Sequence, residues 1–101
     1  MAKYELNIYN METEEVEKTY KRNILPINLY LKFQNYSEKI LSEQLKNDAE
    51  LYSGLCELFV ELFPELTAAE YNGKTDPAEV LVVYKNILEK ATTFTPSEKN
   101  S

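Results

Sequence analysis

The sequence predicts a mainly helical α+β fold: an N-terminal β-hairpin packed on a small bundle of three main helices, plus a short connecting helical turn. Three observations carry this. Residues 4–9 alternate apolar and polar side chains, the period of a half-buried strand. Residues 51–63 fall into two adjacent helical columns, one of Leu51, Leu55, Leu58 and Leu62, the other of Tyr52, Cys56, Phe59 and Phe63. Capping residues and prolines punctuate the chain at Pro26, Asn47, Pro64 and Asp76-Pro77, leaving helix-sized intervals between them.

The hairpin is expected over residues 4–21. Tyr4, Leu6 and Ile8 share one face of the first strand, and Glu5, Asn7 and Tyr9 the other. Asn10 to Glu14 is a polar turn, and Glu15 to Lys21 returns with Val16 and Tyr20 as its apolar members. A lone hairpin is marginal in water, so its apolar face should lie on the helices that follow. Pro26 suits a helical first turn, where its missing N–H has no intrahelical partner, and the first helix is expected over about 26–45. Leu29, Phe33, Tyr36 and Ile40 form its core column, bordered by Tyr30 and Leu41. Asn28, Lys32, Asn35, Lys39, Ser42 and Lys46 form a polar column that reads as a solvated face.

Asn47, with Glu50 three residues on, caps a second helix expected over 48–63, which Pro64 ends. Thr67-Ala-Ala-Glu70 repeats the capping pattern and starts a short turn, expected to stop at Asn72-Gly73, where glycine takes positive φ cheaply. Asp76-Pro77-Ala78-Glu79 combines a cap, a proline at the first position and an acid at the third, so the last helix is expected over 77–91. Val80, Tyr84, Ile87, Leu88 and Ala91 are its core stripe. Residues 1–91 read as one domain, and residues 92–101, with Pro96, Ser97 and little beyond Phe94 to bury, as a disordered tail.

Composition narrows the function. Seventeen acidic against eleven basic residues give a net charge of -6, which argues against affinity for nucleic-acid phosphates or anionic membrane surfaces. The longest apolar run is far shorter than the roughly 20 residues of a membrane span, and the start lacks a signal-peptide core, so a cytoplasmic protein is expected. With no histidine, the commonest general base and metal ligand is missing, and Cys56 sits alone on an apolar helical face. Two glycines, at 54 and 73, exclude a glycine-rich phosphate loop. Glu14 with Glu15, and Glu57 with Glu61, are the carboxylate pairs to consider, but neither has the third or fourth ligand a metal needs. No catalytic residue, metal site or cofactor is therefore assigned.

What remains is surface for proteins. Nine of the thirteen residues from Leu51 to Phe63 are apolar or aromatic, leaving Ser53, Gly54, Glu57 and Glu61 to meet water. A stripe this wide must be covered on two sides, by the chain's own bundle or by another chain. Leu51, Tyr52, Leu55, Leu58, Phe59, Leu62 and Phe63 are accordingly the candidate partner or self-association surface. Between Asp48 and Glu79 there are eight acids and a single base, Lys74, while the first half of the bundle is basic. That asymmetry favours intramolecular pairing or head-to-tail contact between copies.

The order of elements is similar to that of a known family. Tyr4-Glu-Leu-Asn-Ile-Tyr9, the acidic turn Glu12-Thr-Glu-Glu15, and Lys18-Thr-Tyr-Lys-Arg22 leading into Ile24-Leu-Pro-Ile27 resemble the N-terminus of the tail assembly chaperones of tailed phages and prophages of Gram-positive bacteria. Leu55 to Phe63, then Leu66-Thr-Ala-Ala-Glu70 and Asp76-Pro-Ala-Glu-Val-Leu81, look like that family's apolar helix, connecting turn and last helix. The chain departs from the family at Pro64-Glu65, where members often carry a Gly-Asn turn, and over residues 41–49, which are more polar. The resemblance implies a homo-oligomeric protein that coats the tape measure protein during virion assembly and is absent from the finished particle. It also implies a ribosomal slip that appends a longer domain to some chains, for which Glu98-Lys99-Asn100, encodable as GAA AAA AAC, is the candidate site. The runner-up is a small self-associating structural or adaptor protein of a phage or prophage with no chaperone role.

Overall fold

The computed structural model describes residues 3–42 and 47–92, with side chains through residue 89. Strands β1 (Tyr4–Tyr9) and β2 (Val16–Arg22) pair antiparallel, from Tyr4 opposite Arg22 to Tyr9 opposite Val16, with an irregularity between Ile8 and Tyr9. Tyr4, Leu6 and Ile8 are buried, as the alternation predicts. Asn10 builds the turn: its Oδ1 accepts from the N–H groups of Glu12 at 2.8 Å and Thr13 at 3.1 Å. Its carbonyl accepts from Glu14 N–H at 2.7 Å, which helps hold Glu14 at φ 62°, a left-handed conformation that a side chain makes costly.

Helices α1 (Ile27–Leu41), α2 (Asp48–Leu62), α3 (Ala68–Lys74) and α4 (Pro77–Thr92) follow. Pro26 is the residue before α1 rather than its first, and its carbonyl accepts from Tyr30 N–H at 2.9 Å. Ser42 closes α1, its N–H donating to Glu38 and its hydroxyl to Lys39; the stretch to 45 that the pattern assigned to this helix includes 43–45, outside the described residues, as does Lys46. Asn47 Oδ1 accepts from Glu50 N–H at 3.0 Å and caps α2. Thr67 and Glu70 form the full reciprocal capping box at the start of α3. Asp76 Oδ1 accepts from Ala78 N–H at 2.9 Å at the start of α4. α4 includes Thr92, the first residue of the expected tail; residues 93–101, with the candidate slip site, lie outside the described residues.

Several expectations need correction. α3 does not stop at Asn72-Gly73 and Gly73 has no positive φ. The helix continues to Lys74, and Thr75 Oγ1 donates to the Tyr71 carbonyl at 2.5 Å, one of the last four carbonyls, which lack an intrahelical donor. Leu41, placed at the border of the α1 core column, is 78% exposed. On α4, Val83 is buried beside Val80, Tyr84 and Ile87 although the predicted stripe omitted it; it sits three residues after Val80 and four before Ile87, so the stripe is wider than one column.

One cluster of buried residues runs through both the hairpin and all four helices. α1 packs on α2 and α4, α2 packs on α3, and β1 packs on α3 and α4. The hairpin is thus seated on helices, as its marginal stability alone requires.

The contact between α1 and α2 depends on Gly54, which the pattern had turned to water. Its backbone instead lies under the Tyr36 ring, whose Oη donates to the carbonyls of Leu51 at 2.6 Å and Glu50 at 3.0 Å. A Cβ at position 54 would stand 2.3 Å from Tyr36 Oη and 2.5 Å from two ring carbons. The position is helical and needs no special φ; only space dictates glycine. Gly54→Ala in an ordinary helix interior gains about 1 kcal/mol. Here overpacking should reverse the sign, and urea denaturation is expected to show a loss of about 1–3 kcal/mol; an alanine variant as stable as the parent would refute this packing.

Candidate partner surface

The seven candidate residues on and after α2 divide sharply. Leu55, Phe59 and Leu62 are fully buried, with Phe63 and Leu58 nearly so, while Leu51 and Tyr52 are half-buried. The wide stripe is covered largely from within. Phe59 stacks near Phe33 of α1 at 6.1 Å between ring centroids, near Phe63 at 6.2 Å and edge-on to Tyr71 of α3 at 5.9 Å. Tyr71 Oη donates to the Tyr52 carbonyl at 2.9 Å, and burial raises its phenol well above the usual range. Of the predicted surface, Leu51 and Tyr52 alone keep substantial access to solvent; the other five are core.

A patch that the sequence reading passed over stands elsewhere. Ile24, Ile27 and Leu31 are 72%, 76% and 51% exposed at the entry to α1. The signal was present, since Ile27 and Leu31 are four apart and off the core column of Leu29 and Phe33, so one helix cannot bury both faces. Attention to the core column alone hid it.

Charge is spent on fastening elements together. Glu70 accepts from Tyr20 Oη at 2.7 Å, pairs with Lys18 Nζ at 2.9 Å and accepts from its own cap N–H at 3.3 Å. Glu79 accepts from the Tyr9 hydroxyl and from Asn7 Nδ2, and Thr19 donates to Asn7 Oδ1 at 2.8 Å. Arg22 Nη1 donates to the Leu62 carbonyl at 2.6 Å, bringing to the end of α2 the cation its own last turn lacks. Lys32 pairs with Glu61 and Lys74 with Glu17, each at 2.9 Å. The basic and acidic halves of the bundle therefore meet within one chain at Lys32–Glu61, while Lys18–Glu70 ties the hairpin to α3.

Little of this is chemistry for turnover. Glu61 of the Glu57/Glu61 pair is engaged by Lys32, and among the described residues no group of three His, Cys, Asp or Glu could hold a metal ion. Burial pushes the Cys56 thiol up, away from the thiolate a nucleophile needs, and Glu57 adds to the effect. Among the described residues no helix is long and apolar enough to cross a membrane.

In this small α+β protein the rings build a core, several charges fasten elements together, and an aliphatic patch at Ile24, Ile27 and Leu31 stays exposed. The chain belongs to the phage tail chaperone protein family, whose model matches residues 1–100. It is thus a tail assembly chaperone, a family role that is non-enzymatic in character and implies binding to tail proteins. No curated protein and no solved structure matches it.

Phe59→Asp would strand a carboxylate among Phe33, Phe63 and Tyr71, and is expected to cost about 4 kcal/mol or more. Circular dichroism should show loss of the folded state; a folded variant would place Phe59 outside the core. A second expectation concerns acid. The Tyr20 hydroxyl, the Lys18 ammonium and the Thr67 N–H hold the Glu70 carboxyl down, from 4.5 to about 2. A depressed carboxyl contributes stability that is present above its unfolded value and lost as pH falls through its folded value. The stability advantage of the parent over Glu70→Gln should therefore be constant above that upper value and shrink as pH falls from 4.5 toward 2. A difference independent of pH in urea titrations would remove Glu70 from this role.

Proposed function

We propose that the chain binds the tape measure protein and coats it during tail morphogenesis, in the host cytoplasm, without remaining in the finished virion. The observation that carries this reading is family membership over residues 1–100, joined by the exposed aliphatic patch at the entry to α1. A tape measure is a very long helical chain with apolar stripes, and large uncovered apolar surfaces associate. A small protein repeating along it would mask those stripes, each copy binding weakly and the array binding by avidity. The net charge of -6 on each copy would keep the coated chain apart from its neighbours. Homo-oligomeric contact between copies is part of this reading, and Leu51 and Tyr52, the accessible members of the α2 face, are the residues proposed for it.

Co-expression with the tape measure protein tests the function. The tape measure is expected to move from the insoluble to the soluble fraction and to co-purify with several copies of this chain. A tape measure that stays insoluble, or that is soluble without any bound copy, would overturn the reading.

A further inference from the structure

We propose that the patch at the entry to α1 is the client-docking surface, and that its occupant is an amphipathic helix whose apolar stripe is bordered by carboxylates. This rests on the chaperone reading and adds to it a surface and a ligand chemistry. Ile24, Ile27 and Leu31 are exposed as a group, whereas Met11, Val16 and Val82 stand on other elements and Leu41 lies at the far end of α1. Leu25 is packed against the core beneath the patch, so the exposed aliphatics rest on a rigid base.

Shape favours a helix. Ile27 and Leu31 are one turn apart on α1 and form a ridge of the kind that packs into the groove of a second helix. Beside them, Ile24, Tyr30, Tyr4, Asn23 and Lys3 border a shallow depression of about 360 Å³, room for one or two aliphatic side chains of an occupant. The Asn23 side chain, accepting from Lys3 N–H at 3.1 Å, ties the strand start to this linker and holds the depression open.

Charge favours acids at the edge of that helix. Lys3 lines the depression, and no carboxylate does so among the described residues. Lys32, next to Leu31 on α1, is held by Glu61, and Lys21 stands across from Glu5 on β1, so Lys3 is the cation at the edge of the depression. On a chain of net charge -6, a depression bordered by a lysine and by no carboxylate among the described residues is a local exception. The two scales make opposite demands: the field of the whole chain attracts a cationic peptide, while the patch attracts an anionic one. At contact distance and beside apolar surface, the local groups decide the bound state.

The test uses the full chain and two fluorescent amphipathic helical peptides that share a leucine stripe, one bordered by glutamates and one by lysines. Fluorescence anisotropy should show tighter binding of the leucine/glutamate peptide, weakening as salt is raised. The triple variant Ile24→Ser, Ile27→Ser, Leu31→Ser changes exposed positions, so circular dichroism and urea stability should be unchanged while this peptide binds roughly tenfold or more weakly. Lys3→Glu should abolish the preference for the leucine/glutamate peptide. Tighter binding of the leucine/lysine peptide, or undiminished binding by the triple variant, overturns the proposal. So does a triple variant whose only change is its oligomeric state by light scattering, which would make the patch a contact between copies. Co-expression separates this failure from failure of the function: if parent and triple variant both solubilise the tape measure equally, the patch is wrong and the chaperone reading stands. If the parent does not solubilise it, both fall.

Discussion

A line of aromatic rings holds this protein together. It runs from Tyr20 on β2 to Phe63 after α2, to Phe59 on α2, to Phe33 on α1 and to Tyr84 on α4, with Tyr71 of α3 branching from Phe59. Successive centroids lie between 5.9 and 6.3 Å apart, the range in which tilted and edge-on ring pairs are favourable beyond the area they bury. Every element but β1 supplies a ring or stands directly beside one that is supplied, and β1 contributes Tyr4, Leu6 and Ile8 to the same cluster. A chain of 101 residues buries a modest fraction of its surface, so concentrating its largest side chains at one place is how a small core becomes sufficient.

Polar contacts then decide how the pieces are oriented around that line. The hairpin is fastened by Glu70 and Lys74 on α3, Glu79 on α4 and the Leu62 carbonyl at the end of α2. None of these is strong alone, since partly exposed pairs contribute little individually. Together they select one seating for an element that hydrophobic contact would hold without a defined angle. The same economy explains the outer surface: acids and bases are consumed in fastening, and the aliphatic patch at Ile24, Ile27 and Leu31 is left at an edge where Lys3 and Lys21 are exposed.

Much of the fold was legible because its signals are local. Alternation located β1, and Asn47, the Thr67/Glu70 box and Asp76-Pro77 marked three helix starts, since each satisfies backbone groups within a few residues. The errors have both distant and local causes. Gly54 was read as solvated because nothing near it in sequence reveals the Tyr36 ring above it. The end of α3 was set at Gly73 by turn statistics, but the helix continues to Lys74, with the Thr75 hydroxyl donating to the Tyr71 carbonyl. For the candidate site, the same column that identified α2 as special could not say whether its cover came from α1 and α3 or from another chain. The patch at the start of α1 went unread because its residues fall between a linker and a helix, where periodicity is counted over too few positions.

The hairpin's fastenings also set an order of events during synthesis. Its partners follow it by long intervals: Arg22 waits 40 residues for Leu62, Tyr20 waits 50 for Glu70, and Asn7 waits 72 for Glu79. The ribosome therefore releases the hairpin before the helices that complete it. Until α3 and α4 have emerged, Tyr4, Leu6 and Ile8 lack the helices on which β1 lies, and the nascent chain carries an open apolar strand.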